Sequence, residues 1–102
     1  MIIYNVTCNV EKEMAEEWLA WMKTEHIPEV IETGCFLEYK ILKIFNPGQD
    51  EEGINYAIQY TCESLEKLEF YRTEFGPTLQ SKTLAKYGDK VFAYRSVLEI
   101  VG

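Results

Sequence analysis

At 102 residues the chain fits one domain and is too short for a second core, so residues 1–102 read as a single unit. Its 17 acidic against 10 basic residues give a formal charge of −7, which repels a phosphate backbone and argues against general nucleic-acid or anionic-membrane binding. An aromatic share of 14% is enough for a packed core, yet a chain this small buries only about 60–70% of its extended surface, which favours covering a further apolar face with a second copy.

Cys8, Cys35 and Cys62 are odd in number and lack CxxC spacing, so they read as buried thiols of a reducing compartment. No basic leader precedes the first apolar residues, and nowhere do about 18 apolar residues run together. The expectation is a soluble cytoplasmic protein with no membrane partner.

Ile2 to Val10 alternate between an apolar parity (Ile2, Tyr4, Val6, Cys8, Val10) and a mostly polar one, the period of a half-buried strand. Asn9 is placed to cap a helix running to about Glu25, with Met14, Trp18, Trp21 and Met22 as its buried stripe. Its acidic residues read first as a solvated face. Pro28 predicts an interruption near His26, because the residue before a proline, Ile27, is pushed away from helical dihedrals. A short helical turn then stops at Gly34, and Phe36 to Phe45 form a second strand.

Residues Asn46 to Gly53 carry turn chemistry and predict a hairpin loop. Ile54 to Cys62 show the clearest alternation in the chain. Ser64 caps a second helix with Leu65, Leu68, Tyr71 and Phe75 on its buried side, broken at Gly76-Pro77 and resuming to Gly88. Val91 to Val101 make the fourth strand, with Phe92, Tyr94, Leu98 and Ile100 on one parity and Val91, Ala93, Arg95 and Val97 on the other. Two βαβ halves joined by a hairpin predict an α+β, ferredoxin-like βαββαβ fold: a four-stranded antiparallel sheet with helices on one face. The other face carries too many apolar positions to stand in water, so the sheets of two copies are expected to pack as a homodimeric barrel, with any ligand cleft between helices and sheet.

His26 is the only histidine, and an imidazole at a bend beside a cleft can exchange a proton near neutral pH. A helix-terminal histidine is equally well explained by the dipole and by Glu25 and Glu29. Tyr39 follows the crossover, where its phenol can donate a hydrogen bond to a carbonyl or enolate, or simply pack. Trp18, Trp21, Tyr4, Tyr56 and Tyr60 read first as core residues, as aromatic stripes at this spacing usually are, and second as candidates to line an aromatic pocket. One histidine and scattered carboxylates predict no metal site, and the absence of GxSxG, GxxxxGK[ST] and GxGxxG removes the common hydrolase, nucleotide and dinucleotide readings.

With these elements in place the whole chain resembles the dimeric α+β barrel superfamily, which includes antibiotic-biosynthesis-monooxygenase-like and ethyl tert-butyl ether degradation-like proteins. It looks most like an uncharacterised bacterial family of this length that carries Trp-xx-Trp-Met, His-Ile-Pro-Glu and Thr-Gly-Cys-Phe, here Trp18 to Met22, His26 to Glu29 and Thr33 to Phe36. Trp21, His26-Ile27-Pro28, Gly34 and Tyr39 are similar to the pocket motif of the ether-degradation-like relatives, with Thr33 where those have proline. The resemblance implies a pocket faced by His26 and Tyr39. Haem-degrading members place a histidine on the second helix, which this chain lacks, and no cofactor is implied. Three readings follow: a homodimer binding a small apolar or aromatic molecule in the cleft, a cofactor-independent isomerase or monooxygenase using His26 and Tyr39, and a structural or protein-interaction dimer.

Overall fold

The computed structural model describes residues 1–45 and 53–102. In chain order it holds β1 (Ile2–Val10), α1 (Lys12–Trp21), a π-helical turn (Met22–His26), α2 (Ile27–Glu32), β2 (Glu38–Lys43), β3 (Ile54–Cys62), α3 (Leu65–Glu74), α4 (Gly76–Tyr87), a 3-10 turn (Gly88–Lys90) and β4 (Val91–Glu99). The strands form one antiparallel sheet in the order β2-β3-β1-β4, the ferredoxin-like arrangement. Residues 46–52, the body of the expected hairpin loop, lie outside the described residues.

Strand register decides which side chains share a face. Tyr4 stands between Tyr60 and Val97, and Val6 between Ile58 and Arg95. The apolar parity of β1 and β3 therefore faces the helices, together with Val91, Ala93, Arg95 and Val97 of β4. Successive side chains of a strand point to opposite faces, so Phe92, Tyr94 and Leu98 look away from the helices, as does Leu42 of β2. All four are exposed, Phe92 and Tyr94 at 66% each. Between them on this open face, Asn5 donates to Thr7 Oγ1 at 3.0 Å and accepts from Gln59 Nε2 at 3.2 Å, which satisfies the polar centre of β1.

The core lies between this sheet and the helices. Trp18, Ile27, Val30, Ile58 and Leu68 are each at most 1% exposed. At one end Phe36 and Tyr71 meet edge to face at 4.8 Å, and Tyr4 and Tyr60 pack around them. Ser64 caps α3 as expected, accepting from Lys67 N–H at 3.2 Å. Gly34 (φ 77°) and Gly88 (φ 58°) terminate α2 and α4 in the left-handed region that disfavours a side chain.

Three local expectations are corrected. Asn9 remains in β1 and donates from Nδ2 to Asn55 Oδ1 at 2.9 Å, while Glu11 occupies the cap position of α1 with no side-chain cap bond. Leu65, at the first position of α3, is exposed at 57%, and Leu68 and Tyr71 are the buried residues of that helix. Pro28 does not interrupt the first helical segment. Ile27 keeps helical dihedrals (φ −62°, ψ −43°), and its N–H bonds Met22 O, one residue further back than in an α-helix. The wider π turn absorbs the proline, whose ring would otherwise crowd the preceding carbonyls, and burial of Ile27 and Val30 holds the segment helical.

Candidate functional site

A cavity of about 270 Å3 opens between the helices and the β1, β3 and β4 part of the sheet. Its floor is Tyr4, Val6 and Cys8 of β1 with Ile58 and Tyr60 of β3, and Val91, Ala93 and Arg95 extend that floor along the edge strand β4. Trp18, Met22 and His26 form one wall, Tyr71 and the α4 residues Leu79, Gln80, Thr83 and Leu84 the other. The lining is mainly apolar and aromatic, with polar groups from several elements, as in small-molecule sites.

The π turn sets the direction of His26. One extra residue in that turn displaces it from the α-helical wheel and brings its ring to the cavity, backed by Trp21 at 5.4 Å and 29°. Thr83 Oγ1 stands 3.4 Å from Nδ1, a long contact, and Thr83 also donates to Leu79 O at 3.3 Å. Burial lowers the His26 pKa below 6.5; Glu29 works in the opposite direction, while Arg95 and Lys82 add to the lowering. The imidazole is therefore neutral at pH 7. Lys82 itself pairs with Glu29 at 2.7 Å across α4 and α2, a half-exposed contact worth at most about 1 kcal/mol.

Cys8, Tyr60 and Tyr71 of the lining are neutral too. Burial pushes the Cys8 thiol up to about 12, against a smaller opposing effect of Arg95, so Cys8 is no thiolate nucleophile. Burial raises the Tyr60 and Tyr71 phenols, which keeps them protonated and able to donate. The indole Nε1–H of Trp18 is buried without a hydrogen-bond partner among the described residues, as is the Tyr87 hydroxyl. Among the described residues there is no cluster of His, Cys, Asp and Glu able to hold a metal ion, and no helix is long and apolar enough to cross a membrane.

Of the residues singled out in the sequence, His26, Trp18, Tyr4 and Tyr60 line one cavity. Trp21 stands behind His26, and Tyr56 packs against Trp18 at 5.3 Å without lining the cavity. Tyr39 lies on the far edge strand β2, opposite Tyr60 and 43% exposed, and is not among the lining residues. It belongs to the helix-side parity but stands on the opposite side of the sheet from β4. Sequence reasoning passed over Arg95, Tyr71, Gln80 and Thr83. The only signal for Arg95 was its position in the parity of Val91 and Ala93, which becomes informative once the register with β1 is known.

A family model described as "Domain of unknown function (DUF4286)" matches residues 1–101. No curated protein matches the chain. Similar solved structures include an EthD-like protein from Ralstonia eutropha (TM-score 0.71, 14% identity, covering 99% of this chain and 93% of that one). An EthD family protein from Bacillus halodurans is similar at TM-score 0.68 and 15% identity, covering 98% of this chain and 100% of that one. A dimeric ferredoxin-like protein from an uncultured marine organism is similar at TM-score 0.66 and 13% identity, covering 99% and 95%. At these identities the likeness is one of fold.

Proposed function

The chain belongs to the family described as a domain of unknown function (DUF4286), and on that premise we propose that it is a cytoplasmic homodimer whose helix–sheet cavity binds a small, partly apolar and aromatic molecule. The observation that carries this reading is the cavity itself: about 270 Å3, walled by Trp18, Tyr4, Tyr60 and Tyr71, with a neutral imidazole in the wall. Dimerisation is supported by exposed apolar residues at both edges of the sheet face away from the helices, Leu42 on β2 and Phe92, Tyr94 and Leu98 on β4, and by a similar structure described as dimeric. Three buried cysteines without disulfides suit a reducing compartment.

Native mass spectrometry of protein purified without denaturation tests both parts. The expected spectrum is a dimer carrying a retained small molecule, which Ala93→Trp, filling the cavity from an exposed lining position on β4, removes without splitting the dimer. A monomer refutes the dimer. A retained mass that survives Ala93→Trp unchanged refutes the cavity as its site.

A second reading, a cofactor-independent isomerase or monooxygenase, is favoured by His26 specifically. A neutral imidazole on a cavity wall is a general base, and the protonated phenols of Tyr60 and Tyr71 are donors for a developing oxyanion. Tyr39, outside the cavity, takes no part in it. His26→Gln then keeps ligand binding and loses turnover; unchanged turnover removes this reading.

A further inference from the structure

The charge of the cavity wall is unlike that of the rest of the chain. Seventeen of the 102 residues are acidic, yet among the described residues no Asp or Glu lines the cavity. Its one lining residue of fixed charge is Arg95, exposed on the edge strand at the mouth and without an ion-pair or hydrogen-bond partner among the described residues. The guanidinium faces inward electrostatically: it acts on Cys8 of β1, His26 of the π turn and Tyr71 of α3, three groups from three elements around the cavity. Arg95 thus places one unpaired fixed positive charge in the cavity lining, which Glu29, outside the lining, opposes at His26.

The uncharged part of the lining also carries donors. Trp18, 1% exposed, lines the cavity, and its indole N–H, which can only donate, is buried without a hydrogen-bond partner among the described residues. Tyr71 and Gln80 add donor capacity from α3 and α4. A volume of about 270 Å3 lies between the roughly 150 Å3 that accommodates benzene and the roughly 300 Å3 at which drug-sized pockets begin. That is room for one ring with a short substituent.

Resting on the cavity reading above, we infer that the occupant is a small aryl or alicyclic monocarboxylate: its carboxylate is held by the Arg95 guanidinium at the mouth, and its ring lies inward between Trp18 and Leu79. Arginine presents a planar fork of donors that matches a carboxylate bidentately, which a lysine at the same position would not do. The site selects against cations through Arg95. It selects against bare inorganic anions through its apolar depth.

The test uses two acid–amide pairs of equal shape, phenylacetate with phenylacetamide and para-hydroxyphenylacetate with its amide. Each is titrated into the intact protein by calorimetry, with the Trp18 indole N–H resonance as the reporter of place. Both acids are expected to shift that resonance and to bind about ten- to a hundredfold more tightly than their amides, the worth of a hydrogen bond to a charged group. Arg95→Gln, on an exposed edge position, should erase that preference while leaving the melting temperature of the unliganded protein unchanged. Arg95→Lys should restore only part of it. Equal affinity for acids and amides at Trp18 overturns the carboxylate inference and leaves the cavity reading standing, as does an acid preference that survives Arg95→Gln. If none of the four moves the Trp18 resonance, the cavity reading falls together with the inference.

Discussion

Replacing Phe92 and Tyr94 together by Asp is the most direct probe of the sheet face that points away from the helices. Both rings are 66% exposed, so in one copy of the chain they contribute little to folding. An aromatic side chain presents roughly 200 Å2, so about 130 Å2 of each ring is open to solvent. If a facing sheet covers about half of that, each ring gains roughly 1.5 kcal/mol at about 25 cal/mol per Å2, and four rings in a symmetric pair gain about 6 kcal/mol. A dimer of micromolar affinity is worth about 8 kcal/mol. Removing the four rings, and placing four carboxylates where the rings met, should therefore raise the dissociation constant by at least about four decades. Sedimentation across a concentration series is the assay, with far-UV circular dichroism to show that the sheet persists. The expected result is a folded monomer at concentrations where the parent protein is a dimer. A double variant that remains a dimer would refute the assignment of this face, and a variant that unfolds would show that the rings support the fold of a single copy.

Two further outcomes follow from single contacts. Ser64→Ala removes the acceptor of the Lys67 N–H at the start of α3 and should cost about 1 kcal/mol, a drop of about 4–8 °C in melting temperature, whereas Ser64→Gly should cost only a few tenths. His26 gives a pH dependence whose sign is fixed by its burial. In the unfolded chain it protonates near pH 6.5, while in the fold its pKa is lower, so between those values the unfolded chain binds a proton that the native one does not. Stability should fall as pH drops through 6.5 and, for this group, stop falling below the native pKa. His26→Gln should flatten that part of a urea-melt series at stepped pH; an unchanged slope would show that the imidazole is not desolvated in solution.

The strands were legible because period-two alternation survives any detail of packing: β1 and β3 were bounded to the residue, and β2 and β4 to within two at each end. Ser64 was legible because capping is local chemistry. Pro28 was misjudged for the converse reason. The local rule for a residue before proline favours extended backbone, but Ile27 and Val30 bury completely, and that burial keeps the chain helical through a wider turn. Asn9 had a good cap sequence and another partner, Asn55, supplied from 46 residues away.

The site separated along the same line. Trp18, Tyr4 and Tyr60 stand on stripes whose period gives their face directly, so they could be placed together without a structure. Arg95 could not, because alternation divides β4 into two parities without saying which one meets the helices. With Phe92 and Tyr94 on one side and an arginine on the other, hydrophobicity alone points the wrong parity inward. The register Val6↔Arg95 reverses that choice: the charged parity of β4 lies over the cavity, and the aromatic parity is left for another surface. The two halves of the functional reading are thus coupled through one strand. β4 can offer Phe92 and Tyr94 to a second copy only by turning Arg95 towards the cavity, so a dimer built on this face and an anion held at this mouth are consequences of a single register. A one-residue slip of β4 would lose both together.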